Sequence, residues 1–180
     1  MGPASTDPTD AHLRLAGFAL AHALGSIDAG GTLCTLAFVE RQDQRELVRY
    51  DADSIADSIA LARNDLRTSL EQGGYAALVY DGYATVGDVR HDALMVDLID
   101  RDGTVVAQLV QQYRPGRLWP FGLLRLVGLP LPGGLVVVGD PIAQSPLRPA
   151  ASVEFTRGLA DHPYGRRTYR LSAADRPPTV

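Results

Sequence analysis

The chain has 180 residues, of which 46% are hydrophobic and 21% are charged, and its formal net charge is −4. This composition is typical of a folded globular protein and excludes a disordered, collagen-like or coiled-coil chain, while the length predicts one domain. All 17 positions counted as lysine or arginine are arginine. Without a lysine amine the chain cannot form a pyridoxal or aldol Schiff base, a Walker A phosphate loop or a Ser/Lys dyad.

The single cysteine and the N-terminal residues predict the compartment. Cys34 cannot form an intramolecular disulfide, and one thiolate is too few for a cysteine-based zinc or iron–sulfur site. The first ten residues carry Asp7 and Asp10 and have no apolar run, so they do not resemble a secretory signal. We therefore expect a cytoplasmic protein. The absence of lysine, with a single asparagine, also suggests a G+C-rich bacterial genome.

The first predicted element is a mostly buried helix from Thr9 to Leu24, where leucine and phenylalanine recur among many alanines. His12 and His22 lie on different faces of this helix, ten residues apart, so they cannot share one metal ion. Each is interpreted as a packed or surface imidazole.

A hairpin of two strands is predicted next. The strand at Thr32 to Glu40 has no polar face, which indicates that both of its faces are covered. Its partner is predicted at Glu46 to Tyr50, after a short polar loop. Cys34 falls in the first of these strands and is interpreted as a core residue rather than a nucleophile.

An amphipathic helix is the clearest predicted element. Ser54, with Asp57 three residues later, is typical of a capping box, and Gly73-Gly74 predicts where the helix ends. The apolar residues of this helix recur at helical spacing, at Ile55, Ile59, Ala62, Leu66 and Leu70.

The rest of the chain predicts strands and a short helix. Three strands are expected at Tyr75 to Thr85, Ala93 to Asp100 and Thr104 to Tyr113. The segment Asp100 to Gly103 ends in Asp-Gly, which suits the tight turn of a hairpin. A final strand at Leu135 to Val138 and a short C-terminal helix complete the prediction.

The order helix, strand, strand, helix, strand, strand, strand predicts an α+β fold with an antiparallel sheet of about five to six strands. We expect the two main helices to pack on one face of this sheet. Residues 1–149 are predicted to form a single domain, and residues 150–180 a basic, partly flexible tail or short helix. The charge supports this division, because residues 1–112 hold 17 acidic residues and 8 arginines, whereas residues 113–180 hold 4 and 9.

The densest polar cluster lies in the predicted connection between two strands, from Asp81 to Asp92. A histidine flanked by carboxylates can act as a general base, or it can share a divalent cation that activates water. The candidate catalytic residues are Asp81, Asp88, His91 and Asp92, and they define the alternative of a small metal-dependent hydrolase. A solvated hairpin loop has the same composition, because glycine and aspartate favour turns.

Two further candidate sites follow this cluster. Two guanidiniums and two aromatic rings around a predicted turn suit the binding of a phosphate or carboxylate, at Tyr113, Arg114, Arg117 and Trp119. The apolar segment 118–132 either fills the core or forms an interface, with candidate anchors at Trp119, Phe121, Leu123, Leu124 and Leu126. Its prolines and glycines would break a membrane-spanning helix.

The motifs that are missing decide the functional prediction. The sequence contains no glycine-rich nucleotide loop, G-x-S-x-G elbow, H-E-x-x-H motif or Cys/His metal set. We therefore interpret the chain as a non-catalytic binding protein with no cofactor and no resident metal, which self-associates as a homo-oligomer and docks a protein or small ligand. Its net acidic charge argues against nucleic acid as the partner.

Overall fold

A computed structural model describes residues 10–28, 32–42, 44–86, 88–115, 135–137, 142–143 and 149–164. Within these residues the α-helices are α1 (Asp10–Asp28), α2 (Ile55–Ser69) and α3 (Pro149–Asp161). The strands are β1 (Thr35–Arg41), β2 (Gln44–Tyr50), β3 (Tyr75–Val86), β4 (Val89–Ile99), β5 (Val105–Pro115), β6 (Leu135–Val137) and β7 (Ile142–Ala143). The predicted order of elements is confirmed from α1 to β6, and the C-terminal helix is confirmed as α3, but the two-residue strand β7 was not predicted.

The seven described strands form one antiparallel sheet. Its order is β2-β1-β3-β4-β5-β6, and β7 pairs with β5. Because β2 and β3 both pair antiparallel with β1, the chain crosses over β1 between them, and α2 lies in this crossover. The predicted α+β fold with an antiparallel sheet is therefore confirmed.

The two main helices pack on opposite faces of the sheet. On β1, Leu36 and Phe38 belong to the core beneath α1, whereas Ala37 and Val39 belong to the core beneath α2. The expectation that both helices share one face is therefore wrong. Helical spacing identifies the buried stripe of a helix, but it carries no information about the side of the sheet on which a crossover passes. The prediction that β1 is covered on both faces is confirmed.

The predicted helix cap and turns are present at the ends of the helices and strands. The Ser54 side chain accepts a hydrogen bond from the Asp57 amide at 3.1 Å and caps α2. The glycines at 73 and 74 have positive φ angles of 98° and 108° before β3 begins. In the turn between β4 and β5, the Asp100 carboxylate accepts from the Thr104 amide at 3.0 Å, and Gly103 has a φ of 74°.

Helix α3 packs directly against α1 through two glycines. A Cβ atom placed on Gly158 would overlap the carbonyl oxygen of Arg14, and one on Gly17 would overlap the carbonyl oxygen of Phe155. The two helices therefore approach backbone to backbone. An ion pair of 2.7 Å between Arg14 and Asp161 supports the contact, so this part of the C-terminal region is packed on the core.

A cluster of aromatic rings lies where the chain leaves α3. The ring of His162 lies 5.3 Å from the ring of His22 and 5.0 Å from that of Phe18, and the His22 ring also contacts Phe38 at 5.2 Å. His22 is thus a packed imidazole, one of the two alternatives predicted from the sequence. Its partner is 140 residues away along the chain.

We expect acid to destabilise the fold through His22 and His162. Burial lowers the pKa of both His22 and His162 below the ordinary value of 6.5, and the nearby Arg49 further lowers the pKa of His22. The unfolded chain therefore binds these protons at a higher pH than the folded chain does. The contribution of these two histidines to the free energy of unfolding is therefore fully present above the unfolded pKa. It is lost as the pH falls from about 6.5 towards the lower pKa values of the folded state.

We expect the free energy of unfolding in urea to be smaller at pH 5.5 than at pH 7.5 for this reason. His162→Phe keeps an aromatic ring in the cluster and should reduce that difference. His91→Gln, which removes a histidine outside the cluster, is the matched control. Equal pH dependence of the free energy of unfolding in the wild-type protein and in His162→Phe would contradict the role given to these two histidines.

Candidate binding site

The predicted connection from Asp81 to Asp92 is part of two long paired strands. The β3–β4 register continues from Ala76 opposite Ile99 to Val86 opposite Val89, so residues 81–86 and 89–92 of this segment lie in the strands. The interpretation of this segment as a solvated hairpin loop is therefore wrong, because most of it lies in the two strands, the first of which was predicted as far as Thr85. Residues 81–86 alternate polar or aromatic side chains with small or apolar ones, which is the pattern of a strand with one exposed face, whereas Arg90, His91 and Asp92 are polar in succession and carry no such pattern.

The pleat of these strands separates the four candidate catalytic residues. Because Leu94 and Val96 of β4 face α1, Asp92 lies on the same face and His91 on the opposite one. Asp81 shares the face of Asp92, and Asp88 is an exposed residue of the turn. In the described parts of the chain, no group of three or more histidine, cysteine or acidic residues is arranged to hold a metal ion.

The structure instead joins Asp81 to Tyr113, which the sequence placed in a separate anion site. The Tyr113 hydroxyl donates a hydrogen bond of 2.8 Å to Asp81 Oδ1, and the Gly82 amide donates one of 3.0 Å to the same atom. Burial raises the pKa of Asp81, these hydrogen bonds oppose the rise, and Asp92 adds to it. Burial, together with Asp81, also raises the pKa of Tyr113.

Tyr113 therefore has carboxylates as its neighbours, which makes its surroundings unsuitable for an anion. Of the other residues predicted for that site, Arg114 lies in β5, where its backbone is paired with Val136. The remaining anion-site and interface candidates lie outside the described residues, and these are Arg117, Trp119, Phe121, Leu123, Leu124 and Leu126.

A stacked aromatic and guanidinium pair lies beside these carboxylates. The Arg90 guanidinium carbon lies 3.5 Å from the centre of the Tyr83 ring, and 57% of Tyr83 is exposed. Asp92 stands directly opposite Tyr83 in the register and is also exposed. Among the residues that the structure describes, neither Arg90 nor Asp92 has an ion-pair partner.

We refer to this surface as the hairpin-end face, and it consists of Asp81, Tyr83, Arg90, Asp92 and Tyr113. It lies on the α1 side of the sheet, where β3 and β4 extend towards their turn. Three of its members were predicted, two as catalytic candidates and one as an anion ligand. Tyr83 and Arg90 occur in the cluster noticed in the sequence, but they were not selected as site residues. Residues 81 and 83, like residues 90 and 92, are two positions apart, so a strand prediction for both segments would have placed each pair on one face and identified Tyr83 and Arg90 as site residues.

A second polar group is buried on the other side of the sheet. Asp97 is completely buried, and it accepts hydrogen bonds of 2.6 Å from both Arg63 and Gln108. The Tyr80 hydroxyl lies 3.4 Å from the same carboxylate, and burial raises the pKa of Tyr80 to about 12. This network links α2 to β3, β4 and β5. Because its carboxylate is shielded from solvent and hydrogen-bonded on both oxygens, we interpret it as structural.

Comparison with known protein families, with curated proteins and with solved structures finds no match for this chain. None of the described helices is long and apolar enough to cross a membrane.

Cys34 is half-buried just before β1 and packs beside the core under α1.

Proposed function

We propose that this protein is a non-catalytic binding protein that self-associates as a homodimer and docks its partner through the hairpin-end face. The observation that carries this proposal is the stacked pair, in which Tyr83 is held beneath Arg90 while more than half of it stays exposed. Tyrosine and arginine are among the residue types that supply most of the binding energy of protein interfaces.

The backbone of this face is also held by strand pairing. Tyr83 and Asp92 are paired positions on neighbouring strands, and the Tyr113 hydroxyl anchors the base of the face to Asp81. A preorganised surface loses less conformational entropy on binding than a flexible loop, so more of its contact energy contributes to affinity. This supports docking by the strands themselves.

The hydrolase alternative receives less support from the same geometry. His91 and the carboxylates of Asp81 and Asp92 lie on opposite faces of one sheet, so they cannot meet at a single water or metal ion while β4 stays paired. The face holds two carboxylates and one guanidinium, which does not suit a nucleic-acid backbone. The partner that we propose for this face is therefore a protein chain, namely a second copy of this protein in the bacterial cytoplasm.

We expect Tyr83→Ala to weaken self-association, because it removes the exposed ring and the support of Arg90. The measurement is sedimentation velocity over a range of protein concentrations, which should show dimers of the wild-type chain and mainly monomers of the variant. Val105→Ala is the matched control, because Val105 is an exposed residue at the opposite end of the sheet and should leave the dimer intact.

A wild-type protein that stays monomeric throughout the concentration range would contradict the proposed self-association. Phe121→Asp tests the interface predicted for segment 118–132. Loss of dimers in Phe121→Asp, with full dimer formation in Tyr83→Ala, would move the interface from the hairpin-end face to that segment.

A further inference from the structure

We infer that the hairpin-end face binds the same face of a second copy about a two-fold axis, with Arg90 of each chain opposite Asp92 of the other. This inference rests on the proposed self-association, and it adds the pairing that would hold the two copies together.

The charge pattern of β4 carries the inference. Arg90 and Asp92 are exposed, have opposite charges and lie two residues apart on the same face of the strand, which separates their Cα atoms by about 6.6 Å. In a two-fold contact, a residue that meets a second residue of the partner chain is matched by the reverse contact. A strand with a cation and an anion two residues apart is therefore complementary to itself.

The position of Tyr83 completes the argument. Its ring lies against Arg90 and its Cα is paired with that of Asp92, so an antiparallel approach of two copies buries the two tyrosines of β3 beside the two charge pairs of β4. Aromatic residues surrounded by polar contacts are the usual arrangement at the centre of an interface. Burial of Tyr83 would also remove a large exposed aromatic surface from water.

Other occupants match the face less well. A strongly acidic partner would meet Asp81 and Asp92, and a strongly basic partner would meet Arg90 and compete with it for the Tyr83 ring. A second copy supplies both an anion for Arg90 and a cation for Asp92, so it satisfies both charges.

Charge reversal tests this pairing. We expect Arg90→Asp alone, and Asp92→Arg alone, each to raise the dimer dissociation constant on the order of 100-fold, because like charges replace two attractive contacts. An equimolar mixture of the two variants should restore dimers, because every cross-contact then joins an arginine to an aspartate. The two variants differ in mass, so native mass spectrometry distinguishes the mixed dimer from either homodimer.

The matched controls are Arg101→Asp and Asp102→Arg, which make the same charge changes at an exposed ion pair in the β4–β5 turn. These controls should keep the wild-type dissociation constant. Wild-type dissociation constants for Arg90→Asp and Asp92→Arg would overturn the pairing while leaving self-association intact. Two monomeric variants whose mixture forms no mixed dimer would also overturn it. A monomeric wild-type chain would instead overturn the proposed function.

Discussion

Arg63→Met is expected to lower the free energy of unfolding by about 3 kcal/mol, because it leaves the Asp97 carboxylate buried without its cation. The carboxylate is completely buried, whereas 48% of the Arg63 side chain is exposed, so the expected loss lies at the lower end of the range for broken buried ion pairs. Gln108 still donates its 2.6 Å hydrogen bond to Asp97 and limits the damage.

Denaturation in urea measures this loss, and a double-mutant cycle assigns it. Asp97→Asn removes the charge and keeps the shape, so Arg63→Met combined with Asp97→Asn should cost clearly less than the sum of the two single losses. Arg67→Met is the matched control one helical turn later, where the guanidinium donates an exposed hydrogen bond of 3.3 Å to Asn64, and its effect should stay within about 0.5 kcal/mol. Additive losses in the cycle would show that the ion pair does not hold α2 to the sheet.

Gly158→Ala is expected to destabilise the fold by about 2 kcal/mol, because the new methyl group overlaps the backbone of α1 at Arg14. The direction of the stability change distinguishes a packed helix from an exposed one. In an exposed helix the same substitution would stabilise the fold, because alanine is favoured over glycine by about 1 kcal/mol. Hydrogen exchange should also show loss of protection in α3, where the Arg14–Asp161 ion pair would be drawn apart.

Gly82→Ala provides the control for this substitution. A Cβ atom at Gly82 would meet the Met95 side chain at 3.6 Å, which is ordinary van der Waals contact, so its effect on stability should be small. A Gly158→Ala variant as stable as the wild-type chain, with α3 still protected, would contradict the close approach of the two helices.

Features encoded over a few residues were predictable from the sequence. Ser54 caps α2 because its oxygen reaches an amide three residues later, and the Asp100 to Gly103 turn forms because its aspartate bonds to nearby amides. The α+β order follows from such local signals, because each helix and strand carries its own spacing of apolar residues.

Features that join distant residues were not predictable. Spacing alone could not place α1 and α2 on opposite faces, nor bring His162 to His22 or Arg63 to Asp97. The grouping of Asp81, Asp88, His91 and Asp92 as one catalytic site was wrong for the same reason. Asp92 and His91 are neighbours in sequence, and only the register of β4 shows that the sheet separates their side chains.

Native mass spectrometry of the wild-type protein is the measurement that tests the central claim most directly, because it reports subunit number and any retained metal or small molecule together. We predict a homodimer whose mass equals that of two chains. A monomer at every concentration would contradict the binding function proposed for the hairpin-end face. A retained divalent metal that is lost in His91→Ala would contradict the non-catalytic assignment and favour the hydrolase.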